Sequence, residues 1–296
     1  MAEHEQWDIV SSVGVTALGV AVARALETEN PNGLIEDPYA ERLSRAAQPE
    51  GQITAVLDGE PAEQGAAELW TAMSTHLGVR SRFFDDYFAD AAQQGVRQAV
   101  ILASGLDARA YRLDWPDGFT VFEIDQPKVL EFKDRVLAED GAEPRCKRFA
   151  VRADLRDDWV SALSSAGFDP ELPTAWLAEG LLPYLPPEAE QELLASITRL
   201  SAPGSRVALE QASPASFAQA LDEPMFHQVS ERWGVDMRQL VHLDERRPAV
   251  ERLTEQGWTV DRDATGATIA GEYGRDFSGD TARFLDFVHY AALRRG

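Results

Sequence analysis

An apolar run that ends in a small-residue turn, followed about twenty residues later by a second apolar run ending in an acid, restricts this chain more than any other feature. It reads Ala99-Val-Ile-Leu-Ala-Ser-Gly-Leu-Asp-Ala-Arg-Ala-Tyr-Arg-Leu113 and then Thr120-Val-Phe-Glu-Ile-Asp-Gln126. Strand, tight turn, helix-compatible segment and second strand make the first βαβ unit of a nucleotide-binding α/β fold. In such a unit the turn backbone approaches the ligand and the acid accepts from its ribose. The pyrophosphate-binding version needs G-x-G-x-x-G, and only Gly105 of the three glycines is present. The pattern therefore points to a nucleoside without a pyrophosphate.

The alternation continues beyond this unit. Short apolar runs predict strands near 97–103, 119–125, 147–152, 174–179 and 205–210, with helices near 108–113, 127–139, 156–166 and 187–200. Such alternation is the signature of a parallel sheet covered on both faces. Residues 211–245 break it as one or two helices rich in Phe, Trp, Met and His, placed to lie over the carboxyl edge as a lid. A helix near 246–256, a strand near 258–263, a Gly-rich loop through Gly274 and a closing apolar run from Phe284 to Leu293 complete the chain.

Before the unit, residues 1–95 read as an N-terminal helical cap. Helical segments cover 12–29 and 68–94, broken by the Asn30-Pro-Asn-Gly33 and Asp37-Pro-Tyr39 turns and by a poorly packed connection over 48–65. Residues 96–296 are then the core carrying the lid.

A formal net charge of −22, with acids spread along the chain, disfavours phosphate backbones and anionic lipid, so neither nucleic acid nor membrane is expected as a partner. Cys146 is the single cysteine, which excludes an intramolecular disulfide and a cysteine-based zinc site. The five histidines show no metal-ligand spacing, and no metal is expected. The acidic start and the lack of an apolar run of roughly 18 residues make a cytoplasmic protein the expectation.

The predicted carboxyl edge carries Ser104, Asp125, Asp154 and Glu179. Small side chains at Ala103, Ser104 and Gly105 let the backbone approach a ligand closely. Asp125 is placed to accept from vicinal ribose hydroxyls, or to cap the helix beginning at Pro127. Asp154 can accept from a purine amino group beside the backbone amide of Leu155; helix capping is its alternative. Glu179, after so apolar a run, needs a cation, either a ligand ammonium or an Arg from a neighbouring loop. Arg80 and Arg82 lie in an aromatic helical segment, and one of them could hold a ligand carboxylate; an i, i+4 pair with an acid suits Arg82 better. Ribose, purine, ammonium and carboxylate together describe S-adenosylmethionine.

The sequence resembles the leucine carboxyl methyltransferase-like family of S-adenosylmethionine-dependent methyltransferases, in the bacterial branch related to polyketide O-methyltransferases of secondary metabolism. The resemblance rests on Thr16-Ala-Leu18, Ile35-Glu-Asp-Pro-Tyr39, Arg80-Ser-Arg-Phe-Phe-Asp-Asp86, Ser104-Gly-Leu-Asp-Ala-Arg-Ala-Tyr-Arg112, Phe122-Glu-Ile-Asp-Gln-Pro127 and Ala178-Glu-Gly-Leu-Leu-Pro-Tyr184, in that order. It implies a Rossmann-like seven-stranded sheet with the last strand antiparallel, a helical N-terminal extension and a lid after the fifth strand. By position it implies that Asp125 holds the ribose, Asp154 and Leu155 the adenine, Glu179 the amino group and Arg80 the methionine carboxylate. The family's turn usually reads Gly-Ala-Gly, where this chain has Ala103-Ser-Gly105.

The expected activity is O-methylation of a carboxylate on a small molecule or peptide. Such an acceptor is already ionised at neutral pH and needs no general base. A phenol or alcohol acceptor is the alternative and would need one, for which His227 and His242 are candidates. Tyr184, shortly after Glu179, is placed to face the methyl site or to pack. A cofactor-binding protein without catalysis and a nicotinamide dehydrogenase are the competing classes, and the missing glycines weigh against the second. Phe217, Met225, Phe226, Trp233 and Met237 fit either an apolar acceptor cavity or ordinary core packing.

Overall fold

A computed structural model describes residues 13–47, 53–58, 64–275, 277 and 285–296. The predicted strands appear as β1 (Gln98–Leu102), β2 (Thr120–Asp125), β3 (Lys147–Arg152), β4 (Thr174–Ala178) and β5 (Arg206–Gln211), followed by β6 (Trp258–Thr265) and β7 (His289–Arg295). They join in the order β3-β2-β1-β4-β5-β7-β6. The first five run parallel, and β7 is antiparallel to both neighbours, β5 and β6. This is the α/β, Rossmann-like sheet that the resemblance implies.

The helices, in chain order, are α1 (Val13–Glu29), α2 (Ala40–Ala47), α3 (Gln64–Gln93), α4 (Arg109–Arg112), α5 (Pro127–Glu139), α6 (Trp159–Ser165), α7 (Pro187–Arg199), α8 (Pro214–Ala220), α9 (Pro224–Trp233), α10 (Met237–Leu240), α11 (Ala249–Glu255) and α12 (Gly266–Glu272). Alternation along β1 shows why the sheet needs cover on both faces. Ala99 and Ile101 pack with Phe84 and Phe88 of α3, Val136 of α5 and Ile269 of α12, whereas Val100 and Leu102 pack with Trp159 of α6, Leu194 and Ile197 of α7 and Leu253 of α11. Tyr87 of α3 donates through its hydroxyl to the Trp176 carbonyl at 3.0 Å, fixing α3 against β4.

At 30 residues, α3 is about 45 Å long, and it links two regions. Its far end packs on the sheet, and its first turns contribute Leu69 and Met73 to a second apolar cluster with Tyr184, Phe217, Leu221, Phe226, Met237 and Val241. The segment inserted between β5 and α11 is anchored by that cluster. Of the residues expected to line an acceptor cavity, the side chains of Met225 and Trp233 lie outside the described residues. Within the 48–65 connection, Ala55–Asp58 forms a 3-10 turn beside a buried Ile53; residues 48–52 and 59–63, like Phe284, lie outside the described residues.

The Gly-rich loop expected after β6 is instead the helix α12. Thr265 caps it by accepting from the Thr268 amide at 3.2 Å, and Ile269 and Ala270 are buried beneath it. Gly266 serves close packing there, because a Cβ would stand 2.9 Å from Leu285 Cδ2. Among the described residues no helix is long and apolar enough to cross a membrane.

Phe84 is fully buried between α3 and the sheet, with its ring edge-on to Tyr290 at 5.8 Å. Phe84→Ala should lower unfolding free energy in urea by about 3–5 kcal/mol; a loss under about 1 kcal/mol would place α3 outside the core.

Candidate functional site

The chain leaves β1 in an uncommon backbone conformation. Ala103 takes φ +50°, the one positive φ outside glycine among the described residues, and Gly105 follows at +48°. Left-handed backbone costs an L-residue about 1–2 kcal/mol, so the turn departs from local preference where the resemblance places a glycine. The Ser104 amide donates to the Ile124 carbonyl at 3.0 Å, the Gly105 amide donates to Asp125 Oδ2 at 2.6 Å, and the Gln126 amide donates to Asp125 Oδ1 at 2.7 Å. Asp125 thus ties the end of β2 to the turn after β1. Burial pushes its carboxyl above the ordinary value, against the two backbone donors. It does not cap α5, whose N-cap is Gln126 without a side-chain bond.

Asp154 lies beyond β3, held by the Nε and Nη2 of Arg156 at 2.9 and 2.6 Å and by Gln126 Nε2 at 3.1 Å. It does not cap α6 either; Asp158 does, accepting from the Ser161 amide.

Glu179, just past β4, meets two guanidinium groups: Arg80 Nε at 2.8 Å on Oε1 and Arg109 Nη1 at 2.7 Å on Oε2. Burial pushes its carboxyl up, but Arg109 and Arg80 outweigh burial and hold it below the ordinary value. Arg80 also reaches Glu210, at the end of β5, at 3.1 Å, and the Gly180 amide donates to that same Glu210 oxygen at 2.9 Å. In this structure Glu179 therefore uses the arginine partner that its sequence context offered as one option. Arg82 points elsewhere, pairing with Asp86 at i, i+4 and 2.9 Å on the exposed side of α3.

Behind these residues lies a buried ionic network that sequence reasoning did not assign. Arg109, only 2% exposed, bonds Asp85 at 2.7 Å, Asp107 and Glu179. Arg112 grips both oxygens of Asp85 at 2.7 Å, and Arg24 of α1 pairs with Asp37 at 3.1 Å while donating to the Leu106 carbonyl at 2.6 Å. The guanidinium groups are Arg24, Arg80, Arg109 and Arg112; the carboxylates are Asp37, Asp85, Asp107, Glu179 and Glu210. A sequence signal existed: Asp107, Arg109 and Arg112 interrupt an otherwise apolar stretch, and charges there need buried partners.

All of the residues singled out from sequence (Arg80, Ala103, Ser104, Gly105, Asp125, Asp154, Leu155 and Glu179) line one cavity of about 220 Å³. Gly14, Thr16, Ala17, Val20 and Arg24 of α1 form its cover, with Tyr184 and Leu185 at one side. Among the described residues the buried Ser104 hydroxyl has no hydrogen-bond partner, as expected for a group that a bound molecule would satisfy. A second cavity of about 450 Å³ opens farther along the same edge, lined by Pro183, Gln211, Phe217, His242 and His289 among others. His242 thus lies away from the first cavity, and the exposed His227 lines neither.

Residues 17–198 match the family model described as leucine carboxyl methyltransferase. A protein from Saccharopolyspora erythraea, named as an S-adenosyl-L-methionine-dependent methyltransferase, is 56% identical over 271 residues, covering 92% of each chain. One of the same name from Mycolicibacterium smegmatis is 50% identical over 285 residues, covering 92% of this chain and 91% of its own. The crystal structure of a DUF574 family protein from Streptomyces avermitilis superposes with a TM-score of 0.57 at 16% identity, covering 95% of this chain and 97% of its own.

Two outcomes follow from the site's geometry. Ala103→Gly should raise stability by about 1 kcal/mol in chemical denaturation; a fall in the midpoint would show that the alanine is not strained. Asp107 is pushed up by burial, but Arg109, Arg24 and Lys133 outweigh it and hold it at about 2. A depressed folded-state pKa contributes stability above the unfolded value of about 3.9, lost as pH falls towards the folded one. Unfolding free energy should therefore drop between pH 4 and 2 more steeply in the unmodified protein than in Asp107→Asn, and parallel profiles would contradict this.

Proposed function

Because the chain belongs to the leucine carboxyl methyltransferase family of S-adenosylmethionine-dependent methyltransferases, we propose that its cavity binds S-adenosylmethionine for transfer of the methyl group to an oxygen acceptor. The observation that carries this reading is the convergence of Asp125, Asp154, Glu179 and Arg80 on one cavity, beside an unsatisfied Ser104 hydroxyl. These groups fit the cofactor end to end. Asp125 accepts from the ribose, Asp154 and the Leu155 amide meet the adenine, Glu179 takes the ammonium, and Arg80 takes the carboxylate.

When bound, S-adenosylmethionine supplies an electrophilic methyl on a sulfonium. The acceptor oxygen forms the new C–O bond as the C–S bond breaks, and the sulfur keeps that electron pair. The protein's part is to orient and to exclude water, which alone supply a large share of the rate. Ala17 and Val20 of α1 give the cover an apolar surface for that purpose. In this reading residues 1–95 act as the cap and 211–245 as a lid over the 96–296 core. The packing of Tyr184 against α8–α10 supports the second assignment.

The acceptor assigned first is a carboxylate of a small molecule or peptide. The family description supports it, as does the lack of a histidine among the described residues lining the cavity, since a carboxylate needs no base. One observation favours a hydroxyl instead. Among the described residues, each arginine lining the cavity already has a carboxylate partner, with Arg24 on Asp37, Arg80 on Glu179 and Glu210, and Arg156 on Asp154, leaving none of them spare for an anionic acceptor.

Calorimetry should give micromolar binding of S-adenosylmethionine that Asp125→Ala weakens at least about tenfold, equivalent to about 1.4 kcal/mol; unchanged binding would sink the ribose assignment. Transfer of radiolabelled methyl to a panel of carboxylic acids and phenols then separates the two acceptors, and absence of transfer to any oxygen would overturn the O-methylation reading.

A further inference from the structure

Among the described residues, the carboxylates of the buried network at the amino-acid end of the cavity are unequally paired, and Glu210 is the least compensated of them. Glu179 meets two arginines at 2.7–2.8 Å and Asp85 meets two at 2.7 Å. Glu210 meets one guanidinium nitrogen at 3.1 Å, and that guanidinium is shared with Glu179 at 2.8 Å. Among the described residues, the groups facing it from the surrounding elements add no second cation. They are Arg80 on α3, Glu179 beyond β4, Tyr184 before α7 and Tyr290 on β7, and His76 of α3 lies within 3.3 Å of the Tyr290 hydroxyl. His76 is neutral, pushed down to about 3 by burial and by Arg80. A buried carboxylate with half a partner is an unbalanced charge that a cationic ligand relieves.

S-adenosylmethionine and the thioether it leaves after transfer share an ammonium and a carboxylate, which cancel. They differ by the sulfonium charge. We propose that Glu210 is a specificity-determining residue that makes the cavity favour the sulfonium cofactor over its neutral thioether product, by supplying the negative charge that only the sulfonium balances. The inference rests on the S-adenosylmethionine reading of the cavity and adds a role for a residue outside the cavity's lining. Methyl transfer then removes the charge that held the ligand, and Glu210 assists product release.

Glu210→Gln keeps a carbonyl oxygen for the Gly180 amide and removes the charge. Calorimetry with S-adenosylmethionine, S-adenosylhomocysteine and sinefungin, whose amine is cationic where the sulfonium stands, separates charge from shape. The variant should bind both cations about tenfold more weakly while S-adenosylhomocysteine stays within about twofold. Equal weakening of all three, or of none, would overturn the proposal. A second readout needs no variant. Burial pushes the Glu210 carboxyl up, and Arg80 offsets only part of that. Below its raised pKa, binding of S-adenosylmethionine should release a proton that binding of S-adenosylhomocysteine does not, seen as a dependence of the heat on buffer ionisation enthalpy. Equal proton release for the two ligands would contradict the role of Glu210. Failure of all three ligands to bind the unmodified protein would overturn the cofactor reading itself, and with it this inference.

Discussion

The ion pairs between α3 and the carboxyl edge of the sheet govern how this protein is built. Arg80 projects from the middle of a helix whose neighbours Val79, Phe83 and Phe84 are buried, so its charge has nowhere to go except the sheet edge. There it meets Glu179 and Glu210, from adjacent parallel strands. A buried guanidinium or carboxylate left alone costs several kcal/mol, so each partner requires the next. Arg109 extends the chain of requirements to Asp85 and Asp107, and Arg112 and Arg24 carry it to Asp37 and the cover helix. Helices α1 and α3 and the sheet are thereby tied together around the cavity.

In the proposed reading, the same network prepares the site for a zwitterion. Arg80 and Glu179 hold each other in this structure, and an amino-acid ligand offers each of them a replacement partner of the right sign. Exchange of one ion pair for two costs less than desolvating fresh charges. At the other end, Asp125 is fixed by two backbone amides without a cation, which keeps a carboxylate in place for hydroxyl donors. The turn through Ala103 and Gly105 supplies one of those amides, that of Gly105, at the expense of a left-handed alanine, and Gln126 supplies the other.

Much of this was legible in the amino-acid order because it is local. Strand periodicity, the turn at Ser104–Gly105 and the spacing to Asp125 located five strands within a residue or so and brought the chosen residues to one cavity. What could not be read depends on distant pairing. Glu210 lies 130 positions from Arg80 in sequence, and nothing near either names the other. Asp107 and Arg109 lie within the Ser104–Arg112 segment, where nothing nearby in sequence names Asp85 or Glu179 as a partner of Arg109. The α12 helix was hidden because Gly266 and Gly271 resemble loop residues; the first is set by contact with Leu285, which only the fold reveals.

The central claim is that one cavity holds the cofactor by replacing the Arg80–Glu179 ion pair. A crystal structure with S-adenosylhomocysteine tests it most directly. The account predicts the ribose on Asp125, the ligand ammonium on Glu179 and the ligand carboxylate on Arg80, with the direct Arg80–Glu179 contact broken. A ligand seated in the second cavity, lined by Gln211, His242 and His289, or bound with that contact still closed at 2.8 Å, would contradict it.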